Sequence, residues 1–447
     1  MENENRRETV QSDFPALKKT RNCRPPIYFD NACTTLVPQP VIEALNEYYS
    51  GFPSCSGTRG RYWFSAEVSA RIEGDQGRGI KGSRQVIQEY INAGSQNEII
   101  FTANTSHAIN IVALGYKFKP GDCVLLSDKE HNSNLIPWLR LQQKGIIKVL
   151  FAQSDQDGTF DIADFQAKLK SNRVSLVSLA YTSNLTGETL GAEEIIRLAH
   201  SRGAKVLLDA AQTVPHQEID VRELDVDFLA FSLHKMCGPR GIGVLYGKAE
   251  LLGQSPDPEN APQCLIEPVI LGGGTVADSS YQSYTLLEPP ESFEVGVQDY
   301  AGQIAAATAI QYIKQIGMKN IRSKESQLNS YLTEELLERY GQSGWFRILG
   351  PQEAERRGGI LTFEVKRPNA VGIAEELDQK SNIMIRDGAF CVHSYLNKEF
   401  GTGWLQPRLP SEHRMTYRVS LYFYNTKAEC RVFMDTLDEI FKERSYI

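Results

Sequence analysis

The chain has 447 residues, 41% of them hydrophobic and 23% charged, with a formal net charge of −7. That length can bury one large core and a second, smaller one, and the acidic balance gives no general reason to bind nucleic acid or an anionic membrane. The eight cysteines, at positions 23, 33, 55, 123, 237, 264, 391 and 430, form no C-x-x-C pair, which argues against a zinc site or disulfide framework and fits reduced thiols in the cytoplasm.

Residues 1–26 are polar, carry no apolar signal-like run, and read as a mobile segment ended by Pro25-Pro26. No stretch is apolar enough over sufficient length to span a bilayer, so a cytoplasmic location is expected. Ile27-Tyr28-Phe29-Asp30 reads as a strand that opens a large domain over residues 27–300, part of whose N-terminal stretch contributes to the small domain. From about Glu98 to Gly247 strand and helix patterns alternate, the signature of an α/β fold with a mostly parallel sheet covered by helices on both faces.

Ile99–Thr102 is such a strand, followed by a polar break and a helix beginning at Thr105-Ser106. Amides and hydroxyls at a helix start suit a phosphate, although plain capping uses the same letters. Strand Asp122–Ser127 leads into Glu130-His131-Asn132-Ser133-Asn134, where His131 could lie on a flat ring and relay protons; a solitary histidine is more often structural. Strand Val174–Ala180 precedes a turn whose Asn184 offers an amide to a phenolate or carboxylate, or serves only the turn.

The apolar run Lys205–Leu208 ends in Asp209, with Gln212 close behind. A carboxylate at a buried strand end is costly unless a cation or hydrogen bond compensates it; a protonated pyridine would do so, and so would an N-cap role over Ala210-Ala211-Gln212. The next run, Val226–Ser232, exits into Leu233-His234-Lys235-Met236-Cys237-Gly238-Pro239-Arg240-Gly241-Ile242-Gly243. Lys235 there can form an imine with an aldehyde while Ser232, His234 and the glycine-rich backbone hold an anion, the chemistry of a pyridoxal phosphate anchor. Residues 251–267 read as a loop excursion, then come helices over about 300–316 and 320–340. Residues 301–447 form the predicted small C-terminal α+β domain, with strands near 359–365, 383–386 and 418–421 and helices near 371–380 and 427–442.

Taken in this order, the motifs resemble the class V aminotransferase group of fold-type I pyridoxal phosphate enzymes, and within it the SufS-like cysteine desulfurases, which also handle selenocysteine. The similarity spans about residues 27–441. The resemblance implies a seven-stranded large-domain sheet and a cofactor held by Thr105, Ser106, His131, Asn184, Asp209, Gln212, Ser232, His234 and Lys235. It also implies a homodimer in which Thr275, after Gly272-Gly273-Gly274, reaches a phosphate in the partner's site. Arg386-Asp387-Gly388-Ala389-Phe390-Cys391 resembles the segment bearing the nucleophilic cysteine, and Arg418 the arginine that grips the substrate carboxylate, with Asn31 and Ala32 beside the substrate. The implied reaction converts L-cysteine to L-alanine, with Lys235 moving the α-proton and the sulfur left as a persulfide on Cys391. A protein acceptor would then take the sulfur, for uses such as iron–sulfur cluster assembly. Arg386 is expected to supply a positive field to the thiolate.

Three positions depart from the family pattern: Ala389-Phe390 stand where His-His is common, Thr58-Arg59-Gly60 where His-Arg-Gly is common, and Gly296-Val297-Gln298 where Gly-Thr-Pro is usual. They leave open a C–S lyase of the same group acting on another sulfur or selenium amino acid, with Cys391 not the nucleophile. A non-catalytic scaffold of the same fold is the third reading.

Overall fold

Successive residues of a strand face opposite sides of its sheet, so a strand covered on both faces must be apolar without interruption. The computed structural model, which describes residues 10–57, 60–155, 158–253, 264–402, 404–405 and 414–447, shows this pattern at its centre. The strands are β1 (Ile27–Tyr28), β2 (Ile99–Thr102), β3 (Cys123–Ser127), β4 (Lys148–Ala152), β5 (Val174–Ala180), β6 (Lys205–Asp209), β7 (Phe228–Ser232) and β8 (Gly243–Gly247). They continue with β9 (Val276–Ser279), β10 (Tyr284–Leu286), β11 (Phe346–Ile348), β12 (Ile360–Val365), β13 (Ile383–Met384), β14 (Arg386–Asp387) and β15 (Met415–Ser420).

The large sheet has seven strands in the order β2-β8-β7-β6-β5-β3-β4, parallel throughout except where β8 runs against β2 and β7. Val206, Leu208, Leu229 and Phe231 enter the core on one face, and Leu207, Phe228 and Ala230 the core on the other. The carboxyl ends of β5, β6 and β7 lie side by side, with Ala180 in register with Asp209 and Asp209 with Ala230. This is where open α/β sheets place ligands.

A second core forms around the antiparallel sheet β11-β12-β15-β14, in which Arg418 of β15 lies between Thr362 of β12 and Arg386 of β14. The short β1 pairs in parallel with β13, and Asp30 just beyond it bridges Ser420 of β15. The two cores divide elsewhere than at the expected 300/301 boundary. Helix Tyr300–Ile316 buries Ala306, Ile310 and Ile313 against the large core, and the next helix, Met318–Tyr340, gives Met318 and Ile321 to the large core but Leu328, Leu332 and Leu336 to the small one. The division therefore falls inside a continuous helix.

The segment expected to be mobile over residues 1–26 is held in place from Val10 onward; residues 1–9 lie outside the described residues. Phe14 is fully buried, with ring centroids 4.5 Å from Tyr424 and 6.1 Å from both Tyr312 and Phe423. Gln11 Nε2 donates to the Tyr424 carbonyl at 2.8 Å and Arg21 Nε to Asn382 Oδ1 at 2.8 Å. One aromatic anchor outweighs the polar letters around it. Phe14→Ala is expected to cost about 3–5 kcal/mol of stability, read as a lowered denaturant midpoint.

Of the excursion over 251–267, residues 254–263 lie outside the described residues, while Leu251, Leu252 and Ile266 are buried in the large core. Among the described residues no helix is long and apolar enough to cross a membrane, and no cluster of His, Cys, Asp and Glu could hold a metal ion.

Candidate active site

The carboxyl ends of β5, β6 and β7 floor a cleft of about 340 Å³ between the two cores. From the large core it receives Thr105, Ser106, His131, Asn184, Asp209, Gln212, Ser232, His234 and Lys235; from the small core come Arg386, Phe390, Cys391 and Arg418, and from the segment after β1 Ala32 and Cys33. Twelve of the fourteen distinct catalytic, cofactor-binding and substrate-binding residues expected from sequence and resemblance together line this one cleft, and Asn31 and Thr275 do not.

Asp209 completes β6. Its Oδ1 accepts the Ala211 amide at 3.0 Å, so the capping bond is present, and the carboxyl group also lines the cleft. Burial raises its pKa, opposed by the charge of Lys235. Lys235 ends the short helical turn that follows β7; it lies deep in the fold yet stays open to the cleft. Desolvation lowers its pKa, Asp209 works against that, and Arg418 adds to it.

The start of helix Thr105–Gly115 faces the same space, capped by Asn104, whose Oδ1 accepts the His107 amide at 2.9 Å. Thr105 is tied to Ser232 through both its amide (2.7 Å) and its hydroxyl (2.6 Å), and the Ser106 hydroxyl meets that of Ser133 at 2.5 Å. Hydroxyls therefore gather where a helix presents its positive end. His131 Nδ1 accepts the Ser133 amide at 3.1 Å, which places its proton on Nε2. Burial, with Lys235 and Arg418 nearby, pushes its pKa down to about 3, so the ring is neutral at physiological pH. His234 is pushed down to about 4, chiefly by burial, with Lys235 and Arg240 adding to it.

On the opposite wall Asp30 accepts from two guanidiniums: Arg386 Nη2 at 2.7 Å and Arg418 Nη2 at 3.3 Å. One carboxylate between two cations leaves one positive charge over. Arg418 is 2% exposed; its Nη1 donates to the Asn184 carbonyl at 3.0 Å, its guanidinium carbon lies 4.9 Å from the Phe390 ring centre, and its Nε has no hydrogen-bond partner. Asn184 Nδ2 donates to the Phe390 carbonyl at 2.8 Å, and Gln212 Nε2 to the Ala32 carbonyl at 2.7 Å, while Gln212 Oε1 has no partner. Two buried polar atoms of cleft-lining residues are thus left without a hydrogen-bond partner, an arrangement that is rare in folded proteins.

Cys391 is exposed, at the end of a loop where Gly388, Phe390 and Cys391 all have positive φ (90°, 48° and 60°). Its carbonyl accepts the Asn132 amide at 2.7 Å, which ties the loop to the segment carrying His131.

Two expectations need correction. The Asn31 side chain turns away from the cleft: Nδ2 donates to the Ser420 carbonyl at 2.7 Å and to Asn425 Oδ1 at 3.1 Å, and Oδ1 accepts the Tyr424 hydroxyl. It closes the β1–β15 junction instead. Arg386, expected to serve Cys391, directs its Nη2 to Asp30 and, at 3.0 Å, to the sulfur of Cys33. Thr275, expected to serve a partner's site and not this one, lies outside this chain's cleft, fully buried, with its hydroxyl donating to the Gly272 carbonyl at 2.9 Å. Thr58 and Arg59 lie outside the described residues. The sequence reading missed Cys33 altogether, although it follows directly on Asn31 and Ala32.

The family model "Aminotransferase class-V" matches residues 27–433. The chain belongs to the class V aminotransferase family. Within the range of that family, it is 36% identical to a probable cysteine desulfurase of Pyrococcus abyssi, over 97% of this chain and 98% of that protein. It is also 36% identical to a probable cysteine desulfurase of Synechocystis, over 96% of this chain and 94% of the relative. The fold matches the apo structure of a cysteine desulfurase from Thermococcus onnurineus with a TM-score of 0.83 at 34% identity, covering 98% of each chain. The cysteine desulfurase CsdA of Escherichia coli gives 0.81 at 27% identity, again over 98% of both.

Proposed function

We propose that this chain is a pyridoxal phosphate-dependent cysteine desulfurase that converts L-cysteine to L-alanine and retains the sulfur as a persulfide on Cys391. The observation that carries the reading is the convergence of a half-buried amine, Lys235, and a buried acid, Asp209, on one cleft with an accessible cysteine at residue 391. The family membership and the full-length likeness to cysteine desulfurases support it.

The residues fit the cofactor. Thr105, Ser106, Ser232 and His234 would hold its phosphate, His131 its ring face, Asp209 its ring nitrogen, Asn184 and the unpartnered Gln212 Oε1 its polar ring edge, and Lys235 its aldehyde carbon. Bound there, pyridoxal phosphate supplies an electron-withdrawing ring that stabilises negative charge at the substrate's α-carbon. Arg418, with its free Nε and the excess positive charge it shares with Arg386, binds the substrate carboxylate and fixes the α-carbon near Lys235. Lys235 takes and returns the proton at that carbon. Cys391, as thiolate, attacks the substrate sulfur; the sulfur–sulfur bond forms as the carbon–sulfur bond breaks, the electron pair of that bond passes to the β-carbon, which takes up a proton to become the methyl group, and alanine leaves with the persulfide retained on the protein.

Cys391→Ala is expected to lower sulfur release from L-cysteine by more than about 10³-fold while leaving the cofactor's absorption spectrum unchanged. Retained turnover in that variant would instead assign the C–S lyase chemistry that the Ala389-Phe390 departure left open. A colourless protein that stays so after cofactor addition would point to the scaffold.

The homodimer belongs to the same reading. The segment around Gly272–Thr275 carries exposed Val269, Ile270, Leu271, Tyr281 and Tyr284. Apolar surface concentrated in this way is suited to a partner surface, and it would let Thr275 serve a second copy's cleft. The sulfur acceptor is a protein that reaches Cys391 from solvent.

A further inference from the structure

From the neighbours of Cys33 we infer that this cysteine is a second sulfur-carrying residue of the active site, receiving the outer sulfur of the Cys391 persulfide. The inference rests on the desulfurase reading and adds a step to it. Cys33 follows β1 and is half-buried, with its amide held by the Asp30 carbonyl at 3.1 Å. Its sulfur accepts a hydrogen bond from Arg386 Nη2 at 3.0 Å, and Arg386 is fixed by Asp30, whose carboxylate it meets through Nε at 3.1 Å and Nη2 at 2.7 Å.

A guanidinium N–H held on sulfur complements negative charge there. Cys33 and Cys391 line the same 340 Å³ cleft, and both sulfurs lie within electrostatic reach of the Lys235 amine. The Asp30 carboxylate that fixes Arg386 is shared with Arg418, so the Cys33 sulfur sits beside a pair of guanidiniums that carry one unbalanced positive charge. The other described cysteines lie outside the cleft lining.

The step balances without an oxidant. The Cys33 thiolate attacks the outer sulfur of the Cys391 persulfide, a Cys33–sulfur bond forms, and the bond between that sulfur and Cys391 Sγ breaks. Cys391 leaves with the electron pair as thiolate and takes up the proton that Cys33 released. One persulfide is consumed and one made. The sulfur moves from an accessible position to one screened beside Arg386, and Cys391 is free for another turnover, so a single chain can store two sulfurs.

The test uses holoenzyme and excess L-cysteine labelled with heavy sulfur, without reductant, followed by alkylation and peptide mass spectrometry. Wild type is expected to carry labelled persulfide on both Cys391 and Cys33, approaching two sulfurs per chain. Cys33→Ala and Cys33→Ser should carry about one, on Cys391 alone, and Cys391→Ala should carry none at Cys33. Label confined to Cys391 in wild type overturns the inference and leaves the desulfurase reading standing. Label on Cys33 in Cys391→Ala overturns the relay by making Cys33 the direct nucleophile. Alanine formation without persulfide on either residue overturns both readings.

Discussion

Lys235→Ala is expected to abolish turnover of L-cysteine, lowering the rate of alanine formation by at least the roughly 10²–10⁴-fold that a positioned proton-transfer group contributes. Borohydride should then leave no cofactor attached to the peptide around residue 235. The argument starts from the surroundings of the amine. Desolvation lowers the Lys235 pKa and Arg418 pushes in the same direction, so more of the amine is present as free base at neutral pH than on an exposed lysine. Only the free base attacks a carbonyl or accepts a proton. Asp209 opposes this shift, which keeps the amine from being merely a desolvated neutral group. Lys235→Arg separates the two properties: it keeps a cation beside Asp209 but cannot form the linkage, and it should be as inactive as the alanine variant. Steady-state alanine release and borohydride labelling check both variants.

Asp209→Asn is expected to lower kcat by about 10²–10³-fold, the range for removing one preorganised electrostatic contact at the reacting centre. The substitution is nearly isosteric and retains an oxygen for the Ala211 amide, so the bond that shapes the turn after β6 survives. What it removes is the charge. Were the carboxylate only a cap, the asparagine variant would match wild type within about twofold. The measurement is kcat, together with the spectrum of the bound cofactor, which should shift when the charge facing the ring is lost.

The parts of the molecule legible in the sequence are those where local pattern and tertiary burial agree. β6 and β7 are unbroken apolar runs because helices cover both faces of their sheet, and the residues that follow them, Asp209 and Ser232 to Lys235, can only emerge at the sheet's carboxyl edge. Cys391 and Arg418 stand in motifs compact enough to show a resemblance, and the structure puts both residues in the cleft lining. The failures all concern partners distant along the chain. Asn31 bonds to Ser420, 389 positions away, and Cys33 meets Arg386, 353 positions away; neither pairing leaves a trace in local spacing. Helix Tyr300–Ile316 is strongly apolar, but periodicity shows that a face is buried without showing against which core. The early segment was misjudged because a single phenylalanine fixes a stretch of otherwise polar residues.

The helix Met318–Tyr340 runs from one core into the other without a break, with Met318 and Ile321 on the large side and Leu328 to Leu336 on the small. A beam of this kind resists shear between the halves it joins. The amine of residue 235 and the guanidinium of residue 418 stand on opposite halves, and this helix is one continuous element that joins them. The loop at 388–391, whose Gly388, Phe390 and Cys391 all have positive φ, borders the cleft between those halves through Phe390 and Cys391.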